Sequence, residues 1–156
     1  MSLGLSELAV IIPTLNEVKA IGRVIEEVLS VGVPGENVVV VDGGSTDGTV
    51  EAASSYGVRV VRQEGRGKAD AVRTGLKYVR TPYVVVMDGD YTYPARYIPQ
   101  LLEVLREGGC DLVVGARVFG EGSQGVLFRF GNRALTAFFD LMFGVRLRDV
   151  LSGMYA

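Results

Sequence analysis

Four acidic residues, Glu17, Asp42, Asp88 and Asp90, each lie just after a short apolar run of the sequence. Two carboxylates about 4 Å apart repel by roughly 4 kcal/mol at an effective dielectric of 20. A site that gathers them therefore needs a cation or a hydrogen-bond-donating ligand. Oxygen ligands without histidine or cysteine are typical of Mg²⁺ or Mn²⁺, and magnesium completes its shell with water and substrate phosphates. If the four residues meet, this chemistry points to a nucleotide diphosphate.

Each motif also has a purely structural interpretation. Asp88-Gly89-Asp90 is common turn chemistry after a strand as well as a metal motif. The loop 42–48 is not an EF-hand, because Gly44 and Ala53 stand where that motif needs an oxygen side chain and a glutamate. The stretch 65–69 fits neither the phosphate-loop nor the dinucleotide pattern. A phosphate-facing turn and a plain helix-entry loop both remain open for it.

The composition excludes several classes of protein. The chain has 156 residues, of which 48% are hydrophobic, enough for the core of one domain. A net charge of −2 argues against a general nucleic-acid binder. Because the chain has no histidine, a Ser-His-Asp catalyst and a His-ligated zinc site are excluded within it. The single cysteine, Cys110, excludes an intrachain disulfide and fits a reducing compartment.

Short β-branched runs alternate with helical patterns along most of the chain. We expect strands at 8–12 (ended by Pro13), 37–41, 58–61, 83–87 and 111–114, and helices from 17 to about 32, from 46 to about 57, at 68–80 and at 96–106. Strands without polar alternation are buried on both faces, so the sequence predicts an open, mostly parallel α/β sheet with helices on both faces. Ligands bind beyond the carboxyl ends of such strands, which places the four acidic residues on one rim.

The pattern changes after Gly115. Residues 127–143 are expected to form a helix that is apolar nearly all round. It is either a buried core helix or a helix resting partly on a membrane surface or a lipid tail. No segment has the roughly 18 continuous apolar residues that span a bilayer.

Three motifs taken together resemble family 2 glycosyltransferases of the GT-A fold: VIIPTLNE at 10–17, VDGGSTDGT at 41–49 and MDGD at 87–90. Gly115-Ala116-Arg117 and the segments 129–133 and 149–153 are more similar to the dolichyl-phosphate mannose synthase and polyprenyl-phosphate hexosyltransferase branch. The resemblance implies one GT-A (Rossmann-like) domain over 1–156. Its nucleotide-sugar-binding βα core would be 8–115 and the start of its acceptor side 116–156. Since such relatives continue further, we expect a C-terminal truncation.

The resemblance also implies roles for individual residues. The nucleobase pocket would be lined by the end of the first strand and by the second strand. Its residues would be Pro13, Leu15, Glu17, Val40 and Asp42, with the Asp42 carboxylate accepting from base N–H groups.

The Asp88-Gly89-Asp90 segment looks like the DxD motif of the family. Asp88 would face the ribose or sugar, and Asp90 would bind the metal ion, Mg²⁺ or Mn²⁺, that bridges the diphosphate. The resemblance places Asp88 and Thr92 beside Asp90 in the metal set. Thr92 is a weaker neutral ligand at a position where relatives often carry glutamine.

The basic positions of the resemblance are Arg117, Arg129 and Arg133, which would hold the donor diphosphate or an acceptor phosphate. An ordinary surface arginine is the alternative for each. Asp149 matches the family position of a general base, needed if the acceptor is a sugar hydroxyl. Ser152, from the segment 149–153, completes the substrate-binding set.

We therefore expect Asp90, Arg117 and Asp149 to be catalytic in an inverting hexosyltransferase. It would move a hexose, from GDP-mannose or UDP-glucose for instance, to a polyprenyl or dolichyl phosphate. The alternatives are a soluble acceptor (a sugar or phosphoglycerate) and a non-catalytic nucleotide-binding domain. We expect no nucleic-acid partner, peripheral membrane contact, and a cytoplasmic location at the cytoplasmic face of the membrane in the full-length protein. For this chain alone we expect weak, metal-dependent nucleotide-sugar binding, with or without turnover.

Overall fold

The computed structural model describes residues 4–116, 135–138, 140–142, 144 and 152–156, and a five-stranded sheet runs through them. Its strands are β1 (Leu8–Thr14), β2 (Val38–Asp42), β3 (Arg59–Arg62), β4 (Tyr83–Met87) and β5 (Met154–Tyr155). Their order is β3-β2-β1-β4-β5; the first four are parallel and β5 is antiparallel to β4. The predicted mostly parallel α/β sheet is confirmed.

Helices cover both faces of this sheet. They are α1 (Ile21–Ser30), α2 (Thr49–Ser54), α3 (Gly67–Leu76) and α4 (Ile98–Glu107), with short 3-10 helices at Leu5–Glu7, Gly35–Asn37 and Ala95–Tyr97. Successive side chains of a strand point to opposite faces. Val10 and Ile12 accordingly pack in the core with α1, α2 and α4, whereas Ile11 packs on the other face with Ala71 of α3.

The strand β1 runs through Pro13, where the sequence had predicted its end. Pro13 pairs with Val41 of β2, whereas the pairing of β1 with β4 stops at Ile11. A proline has no N–H to donate, so it is tolerated where the ladder on one side has already ended. Beyond Ile11, β1 and β4 are no longer paired, and the candidate site lies over the gap between them.

The predicted fifth strand at 111–114 is found only as an isolated antiparallel bridge at Val114 and not as a full strand. β5 occupies the free edge of β4, and residues 113–115 pair with the outer side of the segment 154–156. The Val113 N–H donates to Ala156 O (2.8 Å), and the Gly115 N–H donates to Met154 O (2.9 Å). The chain thus returns to the sheet beside β4 and separates the stretch after α4 from the parallel strands.

The expected helix at 127–143 is described only in part. Residues 135–138 and 140–142 are helical, and Leu135, Phe138, Leu141 and Met142 are exposed. These four side chains therefore do not lie in a core, while the rest of the segment is outside the described residues. Across the described ranges, no helix combines the length and apolarity needed to cross a membrane.

Candidate active site

A cleft of about 490 Å³ opens at the carboxyl ends of β1 and β4 and reaches the first turn of α3. Its lining includes Pro13, Leu15, Glu17, Gln63, Arg66, Lys68, Asp88, Gly89 and Asp90. Three of the four acidic residues singled out in the sequence thus meet at one cleft, where cationic side chains face them. The arrangement suits a ligand that carries both negative charge and hydrogen-bond donors.

Hydrogen bonds between the segments that follow β1 and β2 hold Glu17 in place. Four hydrogen bonds join them: Asn16 N to Ser45 Oγ (2.8 Å), Glu17 N to Thr49 Oγ1 (2.9 Å), Val18 N to Asp47 Oδ2 (3.1 Å) and Thr46 N to Asn16 Oδ1 (3.0 Å). Asn16 has a φ of 57°, a left-handed conformation that asparagine tolerates better than most residues. The motifs after β1 and β2 therefore stabilise each other and present Glu17 to the cleft.

The pKa values of Glu17 and Asp47 shift in opposite directions. Burial raises the pKa of Glu17, and the negative charges of Asp90, Asp47 and Asp88 raise it further. The pKa of Asp47 is lowered, chiefly because its carboxylate accepts a hydrogen bond from the Thr49 hydroxyl (2.5 Å). Glu17 therefore sits in a negative field that a bound cation would relieve.

Lys68 pairs with the first aspartate of the Asp-Gly-Asp motif. The distance from Lys68 Nζ to Asp88 Oδ1 is 2.5 Å. Lys68 lies in the first turn of α3, whose start is closed by a hydrogen bond from the Arg66 N–H to Asp70 Oδ2 (3.0 Å). The stretch 65–69 is a helix-entry turn that also lines the cleft, and its contact with a phosphate stays a prediction.

The cleft residues that the predicted set lacks include three with long polar or charged side chains, Gln63, Arg66 and Lys68. The Gln63 side-chain amide donates to Gly67 O (2.8 Å) and so ties the end of β3 to the start of α3. A usable sequence signal was present, since Lys68 follows two glycines at a predicted helix start. The sequence could not show where the Lys68 side chain points, because the approach of Lys68 to Asp88 depends on how α3 packs.

Two residues expected in the base pocket lie elsewhere. Val40 is fully buried in the core, so its side chain does not line the cleft. The Asp42 carboxylate is only 6% exposed and accepts hydrogen bonds from the N–H groups of Gly44 (2.9 Å) and Ser45 (3.1 Å). Asp42 lines a separate depression beside α2, because a short acidic side chain readily closes its own turn.

Thr92 also lies away from the cleft. The Thr92 N–H donates to Asp90 Oδ1 (2.9 Å), which closes the turn after the motif. Its side chain belongs to a second cavity of about 580 Å³ on the other side of this turn. Tyr93, Pro94, Tyr97, Leu101, Val104 and Met154 give that cavity a mainly apolar lining.

The segment that carries β5 packs directly onto the Asp-Gly-Asp motif. The Gly153 N–H donates to the Tyr93 hydroxyl oxygen (2.7 Å), and its Cα faces the Asp88 carboxylate. Ser152 Oγ donates to Gly115 O (2.6 Å), and this hydrogen bond joins the segment to the chain after α4. The predicted residues Arg117, Arg129, Arg133 and Asp149 lie outside the described residues, and their roles stay predictions.

The cleft residues fit a hard divalent cation of the predicted kind in part. Asp88 and Asp90 offer carboxylate oxygens on one turn, and Glu17 lines the same cleft. Within the described part of the chain, no three acidic, histidine or cysteine side chains are grouped to enclose a metal ion by themselves. One or two carboxylates plus ligand phosphates is, however, the usual way in which proteins hold Mg²⁺.

Comparisons with known proteins show which family this chain resembles. The family model described as "Glycosyl transferase family 2" matches residues 9–148. Glycosyltransferase AglJ of Haloferax volcanii is 41% identical over 150 residues, covering 94% of this chain and 48% of the relative. The dolichyl-phosphate hexose transferase of the same organism is 36% identical, covering 96% and 65%. The chain thus spans about half to two thirds of the length of these curated relatives.

Solved structures show the same fold. Glucosyl-3-phosphoglycerate synthase from Mycobacterium tuberculosis, in complex with Mn²⁺, UDP-glucose and phosphoglyceric acid, superposes with a TM-score of 0.77 at 30% identity. The match covers 99% of this chain and 60% of the synthase. Mannosyl-3-phosphoglycerate synthase from Rubrobacter xylanophilus gives a TM-score of 0.76 at 24% identity, which supports the fold alone.

Proposed function

The chain belongs to glycosyl transferase family 2, and on this premise we propose that the whole protein moves a hexose from a nucleotide sugar to a polyprenyl phosphate. The observation that carries the proposal is the cleft in which Glu17, Asp88 and Asp90 face Lys68 and the start of α3. A nucleoside diphosphate sugar matches it, because its diphosphate is anionic while its base and sugar offer hydrogen-bond donors. Because the chain belongs to a glycosyltransferase family, the reaction proposed for a nucleotide sugar bound in this cleft is transfer of its sugar.

In this proposal each part of the donor has a partner in the cleft. Leu15, which is 55% exposed at the mouth, packs against the base, and Glu17 accepts hydrogen bonds from base N–H groups. Lys68 and the N-terminal amides of α3 bind the diphosphate, since a helix N-terminus favours negative charge. Asp88 accepts hydrogen bonds from ribose or sugar hydroxyls.

Asp90, together with Asp88, would hold Mg²⁺ or Mn²⁺ against the donor diphosphate. The cation would neutralise charge that develops on the leaving diphosphate. Lys68 supplies positive charge at the same place from the protein side. Mn²⁺ accompanies UDP-glucose in the related synthase, which supports this part of the proposal.

The proposed transfer exchanges one bond for another. An acceptor oxygen bonds to C1 of the sugar from the face opposite the leaving group, while the bond from C1 to the diphosphate oxygen breaks. The nucleoside diphosphate leaves with that electron pair. A phosphate acceptor is already anionic and needs no base, whereas a hydroxyl acceptor must give its proton to one, for which Asp149 is the predicted candidate.

Two observations support a lipid acceptor. The dolichyl-phosphate hexose transferase is a relative at 36% identity, and the second cavity, beside the Asp90 turn, has a mainly apolar lining that suits an isoprenoid chain. We accordingly place the whole protein at the cytoplasmic face of a membrane. A soluble acceptor such as phosphoglycerate is the second candidate, favoured by the structural similarity to glucosyl-3-phosphoglycerate synthase.

The donor half of the proposal is tested by calorimetric titration of the chain with GDP and UDP, with and without Mn²⁺. We expect metal-enhanced binding of one nucleotide that Asp90→Asn abolishes. Asp111→Asn, an exposed change outside the cleft, is the matched control and should leave binding intact. Equal heats for every combination of nucleotide and metal would contradict the proposal.

The acceptor half needs the full-length protein and a radiolabelled nucleotide sugar. Label that moves into an organic-extractable polyprenyl phosphate product supports the lipid acceptor. Transfer to phosphoglycerate with no lipid product would replace it with the second candidate.

A further inference from the structure

Tyr91, the residue directly after Asp90, has an unusual backbone conformation. Its φ is 65°, in the left-handed region that residues with a Cβ adopt only when their surroundings hold them there. Apart from Asn16, Tyr91 is the only non-glycine residue of the described chain with a positive φ. The cause of this conformation should therefore lie in the contacts of the Tyr91 side chain.

Two residues of α1 hold that side chain. The Arg23 guanidinium lies 3.9 Å from the centre of the Tyr91 ring, a close cation–π contact. The Tyr91 hydroxyl donates a short hydrogen bond to Glu27 Oε1. Arg23 and Glu27 are four residues apart on α1, so they project from the same side of the helix. A different side of α1 is buried in the core through Val24 and Val28, which makes the helix a rigid support.

Glu27 also binds the far end of the same loop. Its second carboxylate oxygen, Oε2, accepts a hydrogen bond from the Ala95 N–H (3.2 Å). Across Tyr91, Asp90 Oδ1 accepts a hydrogen bond from the Thr92 N–H (2.9 Å), which depends on the turn that the φ of Tyr91 creates. The direction of the Asp90 carboxylate is thus linked to α1 through Tyr91.

We propose that Arg23, Tyr91 and Glu27 are positioning residues that aim the Asp90 carboxylate into the cleft. None of the three is among the described residues that line this cleft, so they act on it only through the turn. The consequence for cation binding rests on the proposed function, whereas the consequence for the turn itself does not. Loss of the anchor should weaken cation binding with the nucleotide more than it changes overall stability.

The chain offers a matched control whose glutamate partner lies on the same helix. The Tyr56 hydroxyl donates to Glu26 Oε1 (2.9 Å), so Tyr56→Phe removes the same kind of tyrosine–glutamate hydrogen bond away from Asp90. Tyr91→Phe removes only the hydrogen bond from the Tyr91 hydroxyl to Glu27 and keeps the ring against Arg23. Tyr91→Ala removes the ring but keeps a Cβ, and Tyr91→Gly removes the Cβ that makes a positive φ unfavourable.

Two readouts separate positioning from stability. The first is the affinity for Mn²⁺ in the presence of GDP or UDP, followed by the paramagnetic resonance of free Mn²⁺. The second is the amide hydrogen-exchange rate of Thr92, whose N–H donates to Asp90. Thermal melting of each variant is recorded beside them.

Tyr91→Phe should weaken Mn²⁺ binding about tenfold and speed Thr92 exchange by a similar factor, the effect of one lost hydrogen bond to a charged group. Tyr56→Phe should change neither. Tyr91→Ala should weaken Mn²⁺ binding more than Tyr91→Phe does. Tyr91→Gly should restore part of the affinity lost in Tyr91→Ala. Equal behaviour of Tyr91→Phe and Tyr56→Phe in both readouts would overturn the inference.

If the unmodified chain binds neither Mn²⁺ nor nucleotide, the proposed function fails, and Thr92 exchange alone then decides the inference. Faster exchange in Tyr91→Phe than in Tyr56→Phe supports the positioning role, and equal exchange refutes it.

Discussion

Gly153 lies directly against Asp88. A Cβ at position 153 would overlap the Asp88 carboxylate oxygen Oδ2 and would stand 2.8 Å from Cε2 of Tyr93. The segment that adds β5 to the sheet therefore also packs against Asp88, the first aspartate of the Asp-Gly-Asp motif. Only a residue without a side chain fits between the motif and Tyr93.

Gly153→Ala should destabilise the protein by about 1–3 kcal/mol, because an extra methyl group in a packed position forces its neighbours to move. It should also weaken nucleotide binding, since Asp88 is one of the neighbours. Gly35→Ala is the control, because a Cβ there meets Leu29 at an ordinary 3.8 Å. Urea unfolding measures the stability of both variants, and identical midpoints would contradict the prediction.

Lys68→Met should weaken the binding of GDP or UDP about tenfold, because it removes a charge-assisted contact to the diphosphate. The free energy of unfolding should change by less than about 1 kcal/mol, since the Lys68 and Asp88 side chains are 44% and 29% exposed. Lys77→Met removes a comparable pair with Glu64 away from the cleft and serves as the control. Calorimetry in which both variants bind nucleotide equally would refute a role for Lys68.

Leu15→Ala should weaken nucleotide binding roughly 3- to 10-fold, because part of the leucine surface is buried only when the base is bound. Leu76→Ala is matched to it, since Leu76 is 46% exposed and lies outside the cleft. Neither change should alter the melting temperature appreciably. If the nucleotide dissociation constants of the two variants agree, Leu15 does not contact the base.

Asp47→Asn should destabilise the paired loops, and the loss should depend on pH. The pKa of Asp47 is lowered in the folded chain, so the unfolded chain binds more protons as the pH falls below the ordinary value of about 3.9. The stabilisation is therefore present above that value and is lost as the pH falls through the folded pKa. The amide that replaces the carboxylate in Asp47→Asn does not titrate.

The difference in unfolding free energy between the unmodified chain and Asp47→Asn should accordingly shrink from about pH 6 to about pH 3. Urea unfolding at both pH values measures it, with Asp111→Asn as the control for a removed surface carboxylate. A difference that stays constant with pH would show that Asp47 does not act through its charge.

The sequence alone was sufficient to predict the alternation of strands and helices up to α4. It also predicted the edge of the sheet at which Glu17, Asp88 and Asp90 lie. Both follow from local rules. Apolar runs without alternation form buried parallel strands, and the carboxyl ends of such strands share one edge. Since Glu17, Asp88 and Asp90 follow those ends within a few residues, the meeting of these three at one cleft was predictable without knowledge of the packing.

Tertiary structure alone decided where several of these side chains point and what they bind. Asp42 closes its own turn, Thr92 faces the second cavity, and Lys68 reaches Asp88 from another helix. β5, which the sequence did not predict, pairs with the edge of β4, and Val114 bridges to the outer side of β5. The periodicity of a segment reports which of its faces is buried, but a hydrogen bond or an ion pair depends on which distant segment arrives beside it. That arrival is set by the packing of the whole sheet, which no local pattern encodes.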